Sequence, residues 1–287
     1  MMMQVFKQAR AALSLLNPEE ARARARRPVH IGLVATTDAA YQEMEEFLAP
    51  QRGPLEDRTY LLDQVHRAGD SVVPDSVDLI LFEQGLERPP GTYTFYRGDP
   101  AATISEILHG NDDLWLALAR QYPEFRHPVI ERTIHAIARE NALFAVATAL
   151  PDVVPSLVEL PWAFGEFASD TAFLTGNQVR MAFLIAAACG QDTGFGEQKG
   201  AILSIAAGAF GWRALARELV GKIPFGGGLI PKGAIAYAGT YIVGKGLEHH
   251  YRAGTPFTRA QRKTAYREAL ERGRSIVESA ARPSLPS

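Results

Sequence analysis

Apolar and polar positions between residues 29 and 110 follow the pattern of a small α/β unit. Val29–Thr36 and Val77–Phe82 are compact runs rich in β-branched and large apolar residues, which is typical of buried strands. Asp38–Leu48 carries apolar residues at helical spacing, with Asp38 as the predicted N-cap. Strand, helix and strand in this order predict a partly parallel sheet.

Three further segments complete this predicted unit. Tyr93–Tyr96 predicts an edge strand, Thr59–Leu62 an additional strand, and Ala101–Leu108 a helix that closes the unit. The stretch between Pro50 and Pro74 is otherwise acidic and weakly patterned, so only a minimal sheet is expected.

After Asn111 the periodicity becomes helical and stays so. The pattern predicts the following helices: Leu114–Arg120, Pro128–Leu150, Val179–Cys189, Lys199–Val220, Lys232–Tyr251 and a last one that begins at Thr258. Thr258 and Gln261 have the spacing of a capping box. Asp152, after Pro151, belongs to a predicted turn between helices.

Small residues recur every four positions in this helical half. Gly200, Ser204 and Gly208 share one helix face, and Ala236, Thr240 and Gly244 share another. Such faces let helices approach closely, in lipid or in a dense bundle. The segment Ile223–Val243, which starts with the glycine- and proline-rich stretch Ile223–Pro231, predicts a tight helical hairpin that is either buried in protein or dips into a membrane face.

The first 28 residues predict an amphipathic helix followed by an arginine-rich one. The second helix begins at Pro18. The apolar residues near one face of the first helix are Met2, Phe6, Ala9, Leu13 and Leu16. Two interpretations stay open, a helix docked on its own protein and an in-plane membrane anchor.

We therefore predict an α+β protein with three segments. Residues 1–28 form the N-terminal helices, residues 29–110 the small α/β unit with a partly parallel sheet, and residues 111–287 an all-α domain with a glycine-rich hairpin and a basic C-terminal helix.

Composition indicates a folded chain with a segregated charge. Of the 287 residues 47% are hydrophobic and 22% charged, which excludes a disordered protein. Residues 30–113 carry 5 basic and 16 acidic residues, whereas residues 1–29 and 114–287 are net basic. The basic segments favour contact with an anionic membrane surface, and no nucleic-acid partner is expected.

Localisation is predicted as cytoplasmic, or peripheral on the inner face of the cytoplasmic membrane. Cys189 is the single cysteine and has no partner for an internal disulfide. The N-terminus has no signal-peptide pattern, since Lys7 and Arg10 interrupt it. Charges or prolines interrupt every apolar run before it reaches the length of a membrane span.

No catalytic residue, metal or cofactor is predicted. A phosphate loop after the first strand would need G-x-x-x-x-G-K-S/T, but the chain has Ala35–Tyr41 there, without glycine or lysine. The only candidates for an anion site are Gly226, Gly227 and Gly228 with Lys232 at the start of the next helix, and a plain hairpin turn explains them as well.

One histidine pattern resembles a set of metal ligands. His127, Glu131 and His135 are four residues apart along a helix. Because a helix rises about 1.5 Å per residue, the outer two lie roughly 12 Å apart, too far to share one ion. A site with two ligands from this helix and the others from elsewhere in the chain stays open as an alternative.

The second half also resembles a known domain through an ordered series of short segments. These are Leu174–Met181, Ile185–Ala187, Ala214–Arg217, Ile223–Gly227 and Ala234–Thr240 followed by Gly244, over roughly residues 141 to 254. They resemble the YcjF-like domain of unknown function, which accompanies Era-like and dynamin-like GTPases in bacteria.

That resemblance implies a helical, membrane-linked module that accompanies a GTPase and has no catalytic residues to carry over. By position the α/β unit then looks like a degenerate G domain without its phosphate loop and guanine motif. We expect a non-enzymatic module that docks at a membrane surface or on a protein partner, such as a GTPase. The alternatives are an NTPase with a non-standard site and a structural homo-oligomer that pairs through its glycine faces.

Overall fold

A computed structural model describes residues 18–51, 55–68, 77–148, 170–194, 196, 198, 200–201, 229–254 and 258–281. Its strands are β1 (Ile31–Val34), β2 (Val65–Arg67), β3 (Leu79–Glu83) and β4 (Tyr93–Phe95). Its helices in the first half are α1 (Pro18–Arg26), α2 (Asp38–Leu48), α3 (Leu55–Leu62), α4 (Pro100–Gly110) and α5 (Trp115–Gln121). Those of the second half are α6 (Pro123–Ala147), α7 (Asp170–Ala188), α8 (Leu229–Ala253) and α9 (Arg259–Ala281). The predicted α+β fold class is confirmed.

The four strands form one sheet in the order β2-β1-β3-β4, with every neighbouring pair parallel. One face of the sheet is buried and carries Ile31 and Leu33 of β1 and Leu79 and Leu81 of β3. The alternate residues of the two strands, such as Gly32 and Ile80, are half-buried on the other face. Residues after β1 and after β3 therefore meet at one edge of the sheet.

The first strand is fixed to the end of α5 by a side-chain amide. Gln121 Oε1 accepts a hydrogen bond from the Val29 N–H at 3.0 Å, and Gln121 Nε2 donates to the Val29 carbonyl at 3.2 Å. The buried Tyr122 hydroxyl donates to the same carbonyl at 2.8 Å, so both polar backbone groups of buried Val29 are satisfied. Burial raises the pKa of the Tyr122 hydroxyl.

Two local predictions in this unit are wrong. Thr59–Leu62 lies in helix α3 instead of a strand, and the strand beside β1 is Val65–Arg67, which the sequence pattern did not indicate. The N-cap of α2 is Thr37, whose hydroxyl accepts a hydrogen bond from the Ala40 N–H at 3.2 Å, and Asp38 is the first helical residue.

The outer edge of β4 is covered by side chains of α4. Glu106 accepts a hydrogen bond from the Thr94 N–H, and Thr103 accepts one from the Tyr96 N–H. The predicted edge strand at Tyr93–Tyr96 is confirmed, and two of its outward N–H groups are already paired.

The chain forms two compact units. The sheet unit comprises Glu19–Glu131 with Ala187–Gln191, and the helical unit comprises Met1–Pro18, Arg132–Ala186 and Asp192–Ser287. The boundaries predicted at residues 28 and 110 both lie inside the sheet unit. That they separate independently folding domains stays a prediction.

The helical unit packs α8 against α6, α7 and α9. Its core consists of small and aromatic residues: Ala138, Ala142, Val146, Tyr237, Ala238, Tyr266, Ala269 and Val277. Gly233, Gly244 and Gly273 sit where an added Cβ would come within 2.6 to 2.8 Å of a neighbouring side chain. Close approach of helix α8 through small residues is therefore confirmed for Ala236, Thr240 and Gly244, all buried.

The other predicted small-residue face is described only at Gly200, which does not have this environment. Gly200 is exposed, and a Cβ added there would meet no atom within 4 Å, so close packing at this position was a wrong prediction. Ser204, Gly208, the N-terminal helix Met2–Leu16, Asp152 and the hairpin glycines lie outside the described residues.

The predicted helices of the second half that fall on described residues are confirmed with shifted ends, and Lys199–Val220 lies outside the described residues except for Gly200 and Ala201. Helix α6 begins at Pro123 instead of Pro128, and α7 begins at Asp170 instead of Val179. The Thr258 capping box is confirmed, since Gln261 Oε1 accepts a hydrogen bond from the Thr258 N–H and the Thr258 hydroxyl accepts one from the Gln261 N–H.

Three helices of this unit share a buried polar contact. Asn141 of α6 donates from Nδ2 to the Thr240 hydroxyl of α8 at 2.8 Å, and Asn177 of α7 donates to Asn141 Oδ1 at 2.9 Å. All three residues are at most 1% exposed. Arg180 and Glu140 continue the contact outward with an ion pair of 2.6 Å.

Candidate functional site

A cleft of about 1320 Å³ opens in the sheet unit. Its walls come from the end of α1, from α2 and α3, from the connection between β4 and α4, from the junction of α5 and α6, and from Gly190. Five arginines line it: Arg26, Arg27, Arg58, Arg120 and Arg126. Its volume exceeds the range of about 300 to 1000 Å³ that is usual for small-molecule pockets.

Two of the cleft arginines are neutralised by carboxylates. Arg27 contacts Asp78 at 2.5 Å and Asp113 at 3.3 Å. Arg58 donates from Nε to the Ala49 carbonyl at 3.0 Å and lies 3.7 Å from a carboxylate oxygen of Glu46. These two arginines fix α1 and α3 within the unit and offer little charge to a ligand.

Arg126 has a different environment, because its hydrogen-bond acceptors are backbone carbonyls. Its Nε lies 3.3 Å from the Ala119 carbonyl and 3.2 Å from that of Ala188, and its Nη2 lies 3.4 Å from the Arg120 carbonyl. These carbonyls are at the C-terminal ends of α5 and α7, where helices carry partial negative charge. Carbonyl dipoles orient this guanidinium without cancelling its full charge.

Arg120 is the cleft cation that the described residues do not pair. It is half-buried at the end of α5, and within the described part of the chain no carboxylate lies at ion-pair distance and no acceptor at hydrogen-bond distance from its guanidinium. Its Nη1 lies 3.9 Å from where a Cβ on Gly190 would be. Gly190 has a φ of +75°, which glycine adopts without strain at the end of α7.

Aromatic side chains form the apolar part of the cleft. Phe47 of α2 packs against Phe95 with ring centroids 5.6 Å apart and against Phe125 at 6.0 Å. Tyr96 lines the cleft beside them, and Tyr60 of α3 is 56% exposed at its rim. An exposed tyrosine beside arginines is typical of binding surfaces.

The charged groups of the described lining are arginines and glutamates. The described residues that line the cleft include no serine, threonine, cysteine, histidine or lysine. Its carboxylates are Glu43, Glu46 and Glu124, of which Glu43 is paired with Arg97 at 2.7 Å and Glu46 with Arg58. The described lining thus has no nucleophile activated by a neighbouring base.

The sheet edge where parallel α/β proteins bind ligands contains an internal carboxylate. Glu83 Oε2, at the end of β3, accepts hydrogen bonds from the Thr36 N–H at 2.8 Å and the Thr36 hydroxyl at 2.7 Å, just after β1. These hydrogen bonds to the charged form hold the pKa of Glu83 below its usual range. An anion therefore already lies where a phosphate loop would place its N–H donors.

Of the residues singled out in the sequence, His127 and Glu131 come together, with a ring nitrogen and a carboxylate oxygen within 4.8 Å of each other, and the other described ones lie elsewhere. Gly226, Gly227 and Gly228 lie outside the described residues, and exposed Lys232, in the first turn of α8, has its Nζ 3.4 Å from the Thr148 hydroxyl. His135 is engaged elsewhere, with Nδ1 2.6 Å from the Tyr237 hydroxyl and Nε2 2.8 Å from Arg272 Nη1.

Sequence reasoning missed Arg120 and Arg126. Each occurs in a short stretch with an ordinary helical pattern, and no local motif joins them. The one available signal was that Arg120 ends a predicted helix, a position where a cation interacts with terminal carbonyls.

Comparisons with protein-family models, with curated proteins and with solved structures found no match for this chain. None of the described helices is both long enough and apolar enough to cross a membrane.

Proposed function

We propose that this protein is a non-enzymatic docking module that holds a protein partner. The observation that carries this proposal is the Glu83 carboxylate bound to the Thr36 N–H and hydroxyl at the ligand-binding edge of a parallel sheet. A phosphate brought to the same N–H would meet a negative charge. The α/β unit then serves as a scaffold for binding, without nucleotide chemistry at this edge.

The cleft supports a binding role for the same unit. It combines half-buried arginines, an exposed tyrosine and a phenylalanine wall, which are the residue types enriched at protein interfaces. The YcjF-like resemblance of the second half makes a GTPase of the same cell the first partner to test.

Nucleotide binding is tested by calorimetry of the full chain with GTP and with ATP, each with Mg²⁺. We expect no heat of binding for the wild type. Glu83→Gln removes the repelling charge and is expected to show at most millimolar binding, because no lysine replaces it. Micromolar binding by the wild type that is lost in Lys232→Ala would contradict the proposal and support the NTPase alternative.

The docking role itself is tested by tagging the protein at its natural expression level and cross-linking it in the native cell. One protein recovered in near-stoichiometric amount is the expected result. If only the tagged chain is recovered at every cross-linker concentration, the proposal is wrong.

Contact with the inner face of the cytoplasmic membrane is a second candidate, supported by helix α9. Its Lys263, Arg267 and Arg274 are exposed. They follow one another at intervals of four and seven residues, which places them on one side of the helix. Flotation with vesicles containing phosphatidylglycerol tests it. We expect binding that 0.5 M NaCl reverses and that the double variant Lys263→Gln/Arg267→Gln weakens, and no difference between these proteins would contradict it.

Pairing of chains through the α8 glycine face is not open to this protein. Gly244 already faces Ile134 and Met181 of the same chain, and Gly233 faces Val146 and Val277. The homo-oligomer alternative survives only for surfaces other than this one, and light scattering of the purified chain tests it.

A further inference from the structure

We propose that the cleft binds an extended peptide segment of the partner, with an acidic side chain on Arg120 and an apolar side chain beside Phe47 and Tyr60. This inference rests on the proposed docking function and specifies its surface. The partner is defined by its chemistry, a peptide in which carboxylates alternate with apolar or aromatic residues.

Two neighbouring cations, Arg120 and Arg126, favour an anionic ligand in the cleft. Arg126, in the first turn of α6, hydrogen bonds to the carbonyl of Arg120 at the end of α5, so the two residues lie close together. The described groups that accept hydrogen bonds from the Arg126 guanidinium are all backbone carbonyls. The half-buried Arg120 guanidinium has no hydrogen-bond acceptor among the described residues. A carboxylate is the ligand that a planar guanidinium binds through two parallel hydrogen bonds.

The surroundings argue against a phosphate group as the ligand. Two helices begin in the lining, α4 with Pro100 and α6 with Pro123, and proline lacks an N–H. The Ala102 N–H of α4 already donates to the Asp99 carboxylate at 3.0 Å, and the Phe125 N–H of α6 donates to the Tyr122 carbonyl at 3.1 Å. The two prolines and these hydrogen bonds leave each helix start with fewer N–H donors for a phosphate than an open helix N-terminus has.

The aromatic wall and the volume argue for a peptide. Exposed Tyr60 and half-buried Phe47 add apolar surface to the lining, and a volume of about 1320 Å³ is more than a small carboxylate would fill. An extended peptide places alternate side chains on one side, so it can set an acidic and an apolar residue into the same cleft.

Fluorescence anisotropy of the full chain with labelled nine-residue peptides tests the proposal. The probes alternate Glu with Phe, Gln with Phe, or Lys with Phe. We expect the Glu peptide to bind at least about tenfold more tightly than the other two, and Arg120→Gln to lose at least about tenfold of that affinity. Arg24→Gln is the matched control, since Arg24 is exposed on α1 and does not line the cleft.

A second variant keeps the test valid if Arg120→Gln fails to fold. Tyr60→Ala removes an exposed side chain and is expected to keep the fold, as circular dichroism would show, and to weaken the Glu peptide about fivefold. Equal affinity of the wild type and both variants would overturn the proposal.

Two competitors separate other sources of anionic charge. Inorganic phosphate at 10 mM, or phosphatidylglycerol vesicles, should leave peptide binding within about twofold of its value at matched ionic strength. Displacement by either one that requires Arg120 would overturn the proposal in favour of a phosphate or lipid site. A partner that co-purifies equally with wild type and Arg120→Gln would refute the cleft as the binding surface and leave the docking function standing. Recovery of no partner at all would refute the docking function itself.

Discussion

Gly244 lies where helix α8 comes closest to its neighbours. An added Cβ would be 2.6 and 2.8 Å from two carbons of Ile134 and 3.0 Å from the sulfur of Met181. Gly246, one half-turn further along the same helix, has no atom within 4 Å of that position. The two glycines therefore separate the cost of overpacking from the gain in helix propensity.

We predict opposite effects of alanine at these positions. Gly246→Ala should raise the free energy of unfolding by up to about 1 kcal/mol, because alanine restricts the unfolded chain and favours the helix. Gly244→Ala should lower it by roughly 1 to 2 kcal/mol, since the overpacking cost exceeds that gain. Urea unfolding of the three proteins measures both. Equal stabilisation by the two variants would show that α8 packs less closely than described.

At the sheet edge, the Glu83 carboxylate gives a prediction about pH. Its pKa is lowered in the folded protein by the hydrogen bonds from Thr36, so the stabilisation is complete above the pKa of the unfolded chain and is lost as the pH falls through the folded pKa. We predict that Glu83→Gln unfolds at lower urea concentration than the wild type near pH 7, and that this difference shrinks below about pH 4.

The matched control for this pH series is Glu87→Gln. Glu87 is exposed, and the described residues provide it with no hydrogen bond. This variant should differ little from the wild type at either pH. If Glu87→Gln showed the same pH-dependent difference as Glu83→Gln, general charge rather than the Thr36 contact would be responsible.

At the scale of elements, the buried amide of Asn141 connects three helices. It contacts Thr240 of α8 and Asn177 of α7, so removing it leaves buried polar groups unpaired. We predict that Asn141→Ala lowers the free energy of unfolding by about 1 to 3 kcal/mol beyond the packing loss. A double-mutant cycle with Thr240→Val, followed by urea unfolding, should give a coupling energy of at least about 0.5 kcal/mol. Additive losses would contradict a direct contact.

Elements defined by a local pattern were predictable, and those defined by distant pairing were not. Helix α2 was predicted to within one residue because Asp38–Leu48 has a clear apolar period that ends at Ala49-Pro50. Strand β2 has only three residues, Val65, His66 and Arg67, and its strand state comes from pairing with Ile31–Leu33. Thr59–Leu62 has strand-like composition but continues a helix that begins at Leu55, so local propensity gave the wrong element.

At the scale of the whole molecule, the cleft could not be predicted because residues from distant parts of the chain form it. Arg27, Phe47, Tyr96 and Arg120 are each ordinary in their own segment, and only the order of the strands brings them to one place. The absence of a phosphate-loop motif was readable from Ala35–Tyr41, but the role of Glu83 required the parallel pairing of β1 with β3.

The charge of each unit gives a prediction for the molecule as a whole. The sheet unit contains 11 basic and 20 acidic residues, whereas the helical unit contains 19 basic and 12 acidic ones. Ion pairs in the sheet unit, such as Arg67 with Glu45 at 2.6 Å, act at contact distance. The repulsion among its excess carboxylates acts over longer distances, which salt screens more strongly, because the Debye length falls from about 30 Å at 0.01 M to about 10 Å at 0.1 M.

We therefore predict that salt stabilises the sheet unit. Raising NaCl from about 10 mM to about 300 mM should slow amide hydrogen exchange in β1, β3 and α2, because screening removes more repulsion than attraction. Exchange measured by mass spectrometry on peptides from both units checks it, with potassium fluoride in place of NaCl as the control for specific chloride binding. Faster exchange in β1 and β3 at high salt would show that contact ion pairs, and not net charge, dominate the electrostatic stability of this unit.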